Sequence, residues 1–371
     1  MRILSFIGTR PEAIKMVPVI KAMNAHSQEL ASYVCSTGQH REMLDQVLER
    51  FKIDVDVELS VMEPNQSLER LTAKTLTLVS GVLDELSPDL VLVQGDTTTA
   101  MASALASFYR KIPVGHVEAG LRSFDRYSPF PEEINRKVIT SLATYHFAPT
   151  TTAESILLQE GVPRANVALT GNPVIDALYM LVEQPVAFDW SIFDPSRKLI
   201  LVTAHRRENH GEPLRDICRA IQTLVQQRDD IEFAFPVHLN PNVQRIVNDT
   251  LAKTPHVHLL PPAPYDLFVH LMKRSYIILT DSGGVQEEAP ALNKPVLVLR
   301  RETERMEGVE AGVSKLIGTN SDTIVSNVQA LLEDTATYRA MAQVACPYGD
   351  GRAAERIVAF ILAQAGAHEG A

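Results

Sequence analysis

Short apolar runs alternate along this chain with longer stretches whose apolar residues recur at helical spacing. In the first half the runs fall at residues 3–7, 33–36, 90–94, 114–117 and 146–148. In the second they fall at 199–203, 232–236, 257–260, 277–280 and 296–299. Strands that alternate with helices in this way build parallel sheets from βαβ units. Two sets of similar spacing predict an α/β protein made of two doubly wound, Rossmann-like domains. The pattern breaks at Thr170-Gly-Asn-Pro173, which sets the expected domains at 1–170 and 171–352. Residues 184–197 lack periodicity and read as a surface connection. The last helix, from Ala353, is expected to cross back, so that 353–371 pack onto the first domain. Two such domains facing each other leave a central cleft beyond the carboxyl ends of their strands, where ligands bind in open α/β sheets.

The bulk numbers narrow the class. A length of 371 residues, 45% of them hydrophobic, suffices for two full cores. No apolar run reaches the ~18 residues needed to span a bilayer. The stretch Met1-Arg-Ile-Leu-Ser-Phe-Ile-Gly8 is too short for a signal peptide, and the expected location is cytoplasmic. Cys35, Cys218 and Cys346 lie far apart without metal-ligand spacing, which fits a reduced compartment and no metal site. The net charge of −10 argues against nucleic acid or an anionic membrane as partner. An anionic substrate must then be held by a local cluster of cations.

The segment Thr280-Asp-Ser-Gly-Gly-Val-Gln-Glu-Glu-Ala-Pro290 carries the most chemistry. It follows an apolar run and precedes a helix, so Ser282, Gly283 and Gly284 fall at a helix N-terminus. Bare amides and the helix dipole make such a place fit for phosphate. Glu288, within the first turns, is placed to accept hydrogen bonds from ribose hydroxyls. A phosphate cradle with a ribose carboxylate is the handle of a nucleotide-diphosphate sugar. An ordinary glycine-containing turn would read the same way. The dinucleotide pattern G-x-G-x-x-G is absent from the sequence.

Other polar clusters also follow apolar runs. In Gly8-Thr-Arg-Pro-Glu-Ala-Ile-Lys15, Pro11 suits a first helical turn, and Arg10 and Lys15 flank it, either to neutralise a diphosphate or as solvated surface charges. Asp96, in Gln94-Gly-Asp-Thr-Thr-Thr-Ala100, sits where an N-cap belongs, and capping and function carry equal weight there. Glu118 follows a β-branched strand directly, an expensive place for an idle carboxylate. Pro129 and Pro131 stiffen a loop that presents Glu132 at a helix start, where Glu132 and Glu133 also suit the dipole. His205 and His238 end equivalent strands of the second half, and Phe268 is placed either to stack on a base or to fill the core.

These motifs together resemble the bacterial non-hydrolysing UDP-N-acetylglucosamine 2-epimerases, essentially end to end. The matching segments include residues 8–15, 39–44, 95–99, 116–122, 128–133, 205–209, 238–242, 280–290 and 347–351. The resemblance implies the two-domain glycosyltransferase-B fold, a homodimer, no cofactor, and interconversion of UDP-GlcNAc and UDP-ManNAc for polysaccharide biosynthesis. It implies catalytic roles for Asp96, Glu118, Glu132 and His205. It implies UDP contacts for Arg10, His238, Phe268, Ser282, Gly283, Gly284 and Glu288, with Lys15 and Arg305 nearby. Some members bind a second UDP-GlcNAc as activator beside the segment that here holds Gln39 and His40. This chain departs from the pattern in two places. Met306 stands where the family commonly has Pro, and 62–66 offers no arginine of the kind that assists the activator. Two other enzymes compete. A retaining glycosyltransferase would share the fold but has less use for three carboxylates. A hydrolysing epimerase would release ManNAc and UDP, and such enzymes are typically fused to a kinase domain. A non-catalytic sugar-nucleotide sensor would not need Asp96, Glu118 and Glu132.

Overall fold

The computed structural model describes residues 1–38, 41–63 and 65–369, with the side chains of 41–43 and 367–369 left aside. The chain divides into two compact units, Met1–Ala177 with Gly349–Ala371, and Leu178–Tyr348. The division thus falls inside the helix Pro173–Val182 and not at the Gly171 and Pro173 that precede and open it.

In the first unit β1 (Arg2–Ile7), β2 (Ala31–Ser36), β3 (Val57–Glu58), β4 (Leu90–Gln94), β5 (Val114–Val117), β6 (Tyr145–Ala148) and β7 (Val167–Leu169) form one sheet. Its order is β3-β2-β1-β4-β5-β6-β7 and its pairings are parallel. Helices cover both faces, so β4 and β5 are buried along their whole length, and this is why they read as unbroken apolar runs. The edge strands β3 and β7 were not expected; they span two and three residues, too few for a pattern. The core beside helices Leu68–Leu86 and Thr98–Tyr109 includes Leu4, Phe6, Val79, Val91, Val93 and Ala104. The helix Ala353–Glu369 belongs to this unit. Asp176 accepts from the amides of Ala353 (3.1 Å) and Ala354 (2.9 Å) at its start, and Phe360 meets Tyr145 and Phe147 edge-on.

In the second unit β8 (Lys198–Thr203), β9 (Ile231–Pro236), β10 (Val257–Leu260), β11 (Ile277–Thr280), β12 (Val296–Val298) and β13 (Ser314–Leu316) form a parallel sheet of order β10-β9-β8-β11-β12-β13. Ile200, Val202, Ile221, Phe233, Phe235 and Leu279 lie in its core. The segment 184–197 is more than a surface connection. It holds a short helical turn, Trp190–Ile192, buries Phe193 at 2% exposure, and sets the Arg274 guanidinium over Trp190 and Phe193.

Each sheet reverses its strand order once, between β1 and β4 in the first unit and between β8 and β11 in the second. The carboxyl ends of those four strands are the switch points at which such sheets bind ligands. The residues that follow them are Gly8, Gly95, Ala204 and Asp281, each within a motif found in the sequence.

Candidate active site

At the end of β1 the chain turns at Gly8 into the helix Arg10–Ala25, capped by Thr9. Glu12 closes a capping box and also accepts from the Gly8 amide at 2.6 Å, the Thr9 amide at 2.8 Å and the Thr97 hydroxyl at 2.6 Å. Burial raises the Glu12 pKa, against the opposing effect of those hydrogen bonds. Glu12 therefore ties the turn after β1 to the turn after β4. A Cβ at Gly8 would lie 2.4 Å from the Thr37 hydroxyl, so the two chain segments meet too closely for any side chain. Arg10 opens the helix and is exposed, and Lys15 points from the same helix to Glu118.

Glu118 lies just past β5 in the left-handed region, φ 66°, and is 6% exposed. Its carboxylate takes the Lys15 ammonium at 2.6 and 2.5 Å and the Asn172 amide at 3.2 Å. Gln94, the last residue of β4, donates to the same group. A buried carboxylate held by a cation and two amides in a strained backbone conformation is a built feature. Two residues on, a Cβ at Gly120 (φ 90°) would strike the Ala153 carbonyl at 2.3 Å, so only glycine fits that turn.

Asp96 does not cap the helix Thr98–Tyr109; Thr97 does, accepting from the Ala100 amide. That leaves the Asp96 carboxylate for Arg136, whose Nε and Nη2 approach one oxygen at 2.8 and 2.7 Å. Asn135 donates to the Asp96 carbonyl at 2.9 Å. Both partners sit on the helix Glu132–Leu142, which opens with Glu132. The neighbouring acids there separate cleanly. Glu133 is fully buried, accepts from the amides of Ser123 and Phe124, and pairs with Arg136. Glu132 has a buried oxygen, Oε2, with no hydrogen-bond partner among the described residues. An unsatisfied buried carboxylate oxygen is uncommon and points to a ligand or a reacting proton. Arg122, from the same motif as Glu118, pairs with Glu160 and is structural.

In the second unit His205 follows β8 and stacks on His238, which follows β9, with ring centroids 5.6 Å apart and planes 16° from parallel. His238 Nδ1 accepts from the Asn240 amide at 3.1 Å. Burial lowers the His205 pKa, and the carboxylate of Asp281 opposes that shift. The helix Gly283–Ala291 starts as expected, with Ser282 at the N-cap and no side chain capping it. A Cβ at Gly283 would sit 3.2 Å from the Arg305 guanidinium carbon. Arg305 pairs with Glu287 (2.8 Å) and Glu304 (2.5 Å), so it lines the turn as part of a salt-bridge network. Burial alone would raise the Glu304 carboxyl, but Arg305 and Arg300 outweigh it and hold it at about 2. Glu288 is 7% exposed and accepts from the Tyr265 hydroxyl at 2.7 Å. Phe268 lies half-buried on the helix Tyr265–Arg274 that also carries Tyr265. Met306 opens the short helix Met306–Glu310 and is 43% exposed.

The structure therefore groups Arg10, Lys15, Asp96, Glu118 and Glu132 on the strand ends of one unit, and His205, His238, Ser282, Gly283, Gly284, Glu288 and Arg305 on those of the other. Gln39 and His40 lie outside the described residues. No cluster of metal-ligating side chains occurs among the described residues, and no described helix is long and apolar enough to cross a membrane. Sequence reasoning missed four partners that hold this set in place: Arg136, Asn172, Tyr265 and Asp281. Asp281 alone carried a signal, as an acid between a threonine that ends a strand and a phosphate-type turn.

The family model described as UDP-N-acetylglucosamine 2-epimerase matches residues 21–362. The chain belongs to this family. The UDP-N-acetylglucosamine 2-epimerase of Neisseria meningitidis serogroup A is 48% identical over 370 residues, spanning 98% of this chain and 99% of that protein. The family member from Escherichia coli K12 is 48% identical over 367 residues, spanning 96% and 97%. The crystal structure of the Neisseria meningitidis UDP-GlcNAc 2-epimerase bound to UDP-GlcNAc matches with a TM-score of 0.89 at 47% identity, covering 98% of this chain and all of that one.

Proposed function

We propose that this protein interconverts UDP-N-acetylglucosamine and UDP-N-acetylmannosamine by inverting C2 of the sugar. The carrying observation is family membership over nearly the full length, with a homologue at 47% identity whose structure holds UDP-GlcNAc. The chemistry accounts for the residues. The C2 hydrogen has no neighbouring carbonyl, so simple deprotonation is not feasible. The accessible route breaks the C2–H bond to a protein base and the C1–O bond to the diphosphate, whose oxygen keeps the electron pair. The products are a 2-acetamidoglucal and UDP. Re-addition of UDP at C1 with a proton delivered to the other face of C2 completes the cycle, without net redox change.

In this reading one of Asp96, Glu118 and Glu132 takes the proton and another returns one. The orphaned Glu132 oxygen suits either task, while Asp96 and Glu118 are already held by cations. Arg10, His205 and the Ser282 turn stabilise the departing UDP. Preorganised donors of this type are worth about 3–4 kcal/mol each when removed. Glu288 holds the ribose, and Phe268 is a stacking partner for the base.

Proton NMR with UDP-GlcNAc in deuterated water tests the reading. UDP-ManNAc should appear, with deuterium at C2 in both isomers. Free ManNAc and UDP would assign the hydrolysing reaction instead, and an unchanged spectrum would return the glycosyltransferase to first place.

A further inference from the structure

We propose that Asp281 is a positioning residue for His205, fixing its imidazole with Nδ1 inward and leaving Nε2 as the working nitrogen. The inference rests on the reading in which His205 acts on the sugar nucleotide. Asp281 is wholly buried at the end of β11, beside the end of β8. Its two oxygens have different tasks. Oδ2 accepts three hydrogen bonds, from the amides of His205 and Arg206 and from the Asn209 side chain, each at 2.9 Å. Asn209 also donates to the Leu299 carbonyl at 3.0 Å, which anchors the loop after β8 to the end of β12. Oδ1 is buried and makes no hydrogen bond among the described residues; His205 Nδ1 lies 3.3 Å from it.

A loop-closing role accounts for Oδ2 and leaves Oδ1 as a buried half-charge with no purpose. A role toward the imidazole accounts for both. The 3.3 Å separation is long for a hydrogen bond, and such contacts tighten when a ligand arrives. The charged and titratable groups that face the ring are Asp281 and His238 from neighbouring strand ends, with Arg206 and His210 on its own loop. Only Asp281 among them favours a charged ring. A proton held on Nδ1 leaves the Nε2 lone pair free. On protonation Nε2 can donate to a developing phosphate oxygen, with the new cation between two anions.

Asp281→Asn tests this. The side-chain oxygen can keep the loop amides, while its NH2 group then faces Nδ1 and reverses the tautomer. Turnover should fall by ~100-fold or more, with KM for UDP-GlcNAc within about threefold of the parent. The limb of the pH profile that belongs to His205 should move to lower pH, because the removed anion favoured protonation. In a His205→Gln background the same substitution should cost less than about twofold, since the pair acts as a unit. An equal loss in both backgrounds, or an unmoved limb, would make Asp281 a loop clamp only. Nitrogen-15 spectra of the unaltered protein need no variant to fold: an Nδ1–H ring supports the assignment and an Nε2–H ring overturns it. Wild-type turnover by His205→Gln alone would instead remove the reading on which the inference rests, whatever the ring spectrum shows.

Discussion

Lys15 Nζ lies 2.6 and 2.5 Å from the two oxygens of Glu118, and both side chains are largely buried. The same lysine is a proposed diphosphate contact and the same glutamate a proposed catalytic acid or base, so the pair has two competing claims on one cation. Lys15→Met should leave Glu118 buried without its cation and destabilise the fold by about 3–5 kcal/mol. Adding Glu118→Gln should recover much of that loss. Urea unfolding of both single variants and the double variant checks the cycle. A Lys15→Met protein as stable as its parent would mean that the Gln94 and Asn172 amides suffice to hold Glu118 in place.

Arg136 grips one oxygen of Asp96 through two nitrogens, from the helix that opens with Glu132. A lysine cannot reproduce that fork. Arg136→Lys should therefore lower kcat by ~10–100-fold through misplacement of Asp96, with KM little changed. Steady-state rates on UDP-GlcNAc measure this split. A rise in KM at constant kcat would place Arg136 in substrate binding and not in support of Asp96.

The fold was legible where burial on both sheet faces makes strands read as apolar runs, as in β4 and β11, and illegible at β3, β7 and β13. Those edge strands exist because a neighbour supplies their hydrogen bonds, and their own two or three residues hold no period. Candidate site residues stood out at strand ends, because Glu118 and Ser282 interrupt apolar runs with residues that have no packing reason to be there. Their supports were not. Arg136 and Tyr265 lie on helices where an arginine or a tyrosine is unremarkable in sequence, and only the fold brings them to Asp96 and Glu288. The Asp96 position misled for a local reason. Thr97, one residue later, meets the cap geometry and frees the aspartate.

His116 and His146 face each other in register across β5 and β6, and burial lowers each pKa to about 4. Each is neutral in the folded protein, whereas in the unfolded chain each takes up a proton near pH 6.5. Their contribution to stability is thus complete above about pH 6.5 and is lost as pH falls toward 4, at about 1.4 kcal/mol per pH unit for each group. His146→Gln removes one such group at a site away from the proposed chemistry. Urea midpoints between pH 7.5 and 5 should fall less steeply for this variant than for the parent. Parallel curves would mean that His146 takes up its proton as readily in the folded protein as in the unfolded chain.

Tyr265 donates to Glu288 Oε2 at 2.7 Å, and Glu288 is the carboxylate proposed to hold the ribose. That hydrogen bond fixes the orientation of the carboxylate. Tyr265→Phe keeps the ring and removes the donor, so the carboxylate gains freedom to rotate and loses about 1–2 kcal/mol of hydrogen bonding. The ribose lies remote from C1 and C2, so this loss falls equally on ground and transition states. KM should rise ~3–10-fold at nearly constant kcat. The affinity for UDP by calorimetry should weaken by the same factor, because the product keeps the ribose. A fall in kcat with unchanged UDP affinity would move Glu288 out of ribose binding and into the reaction itself.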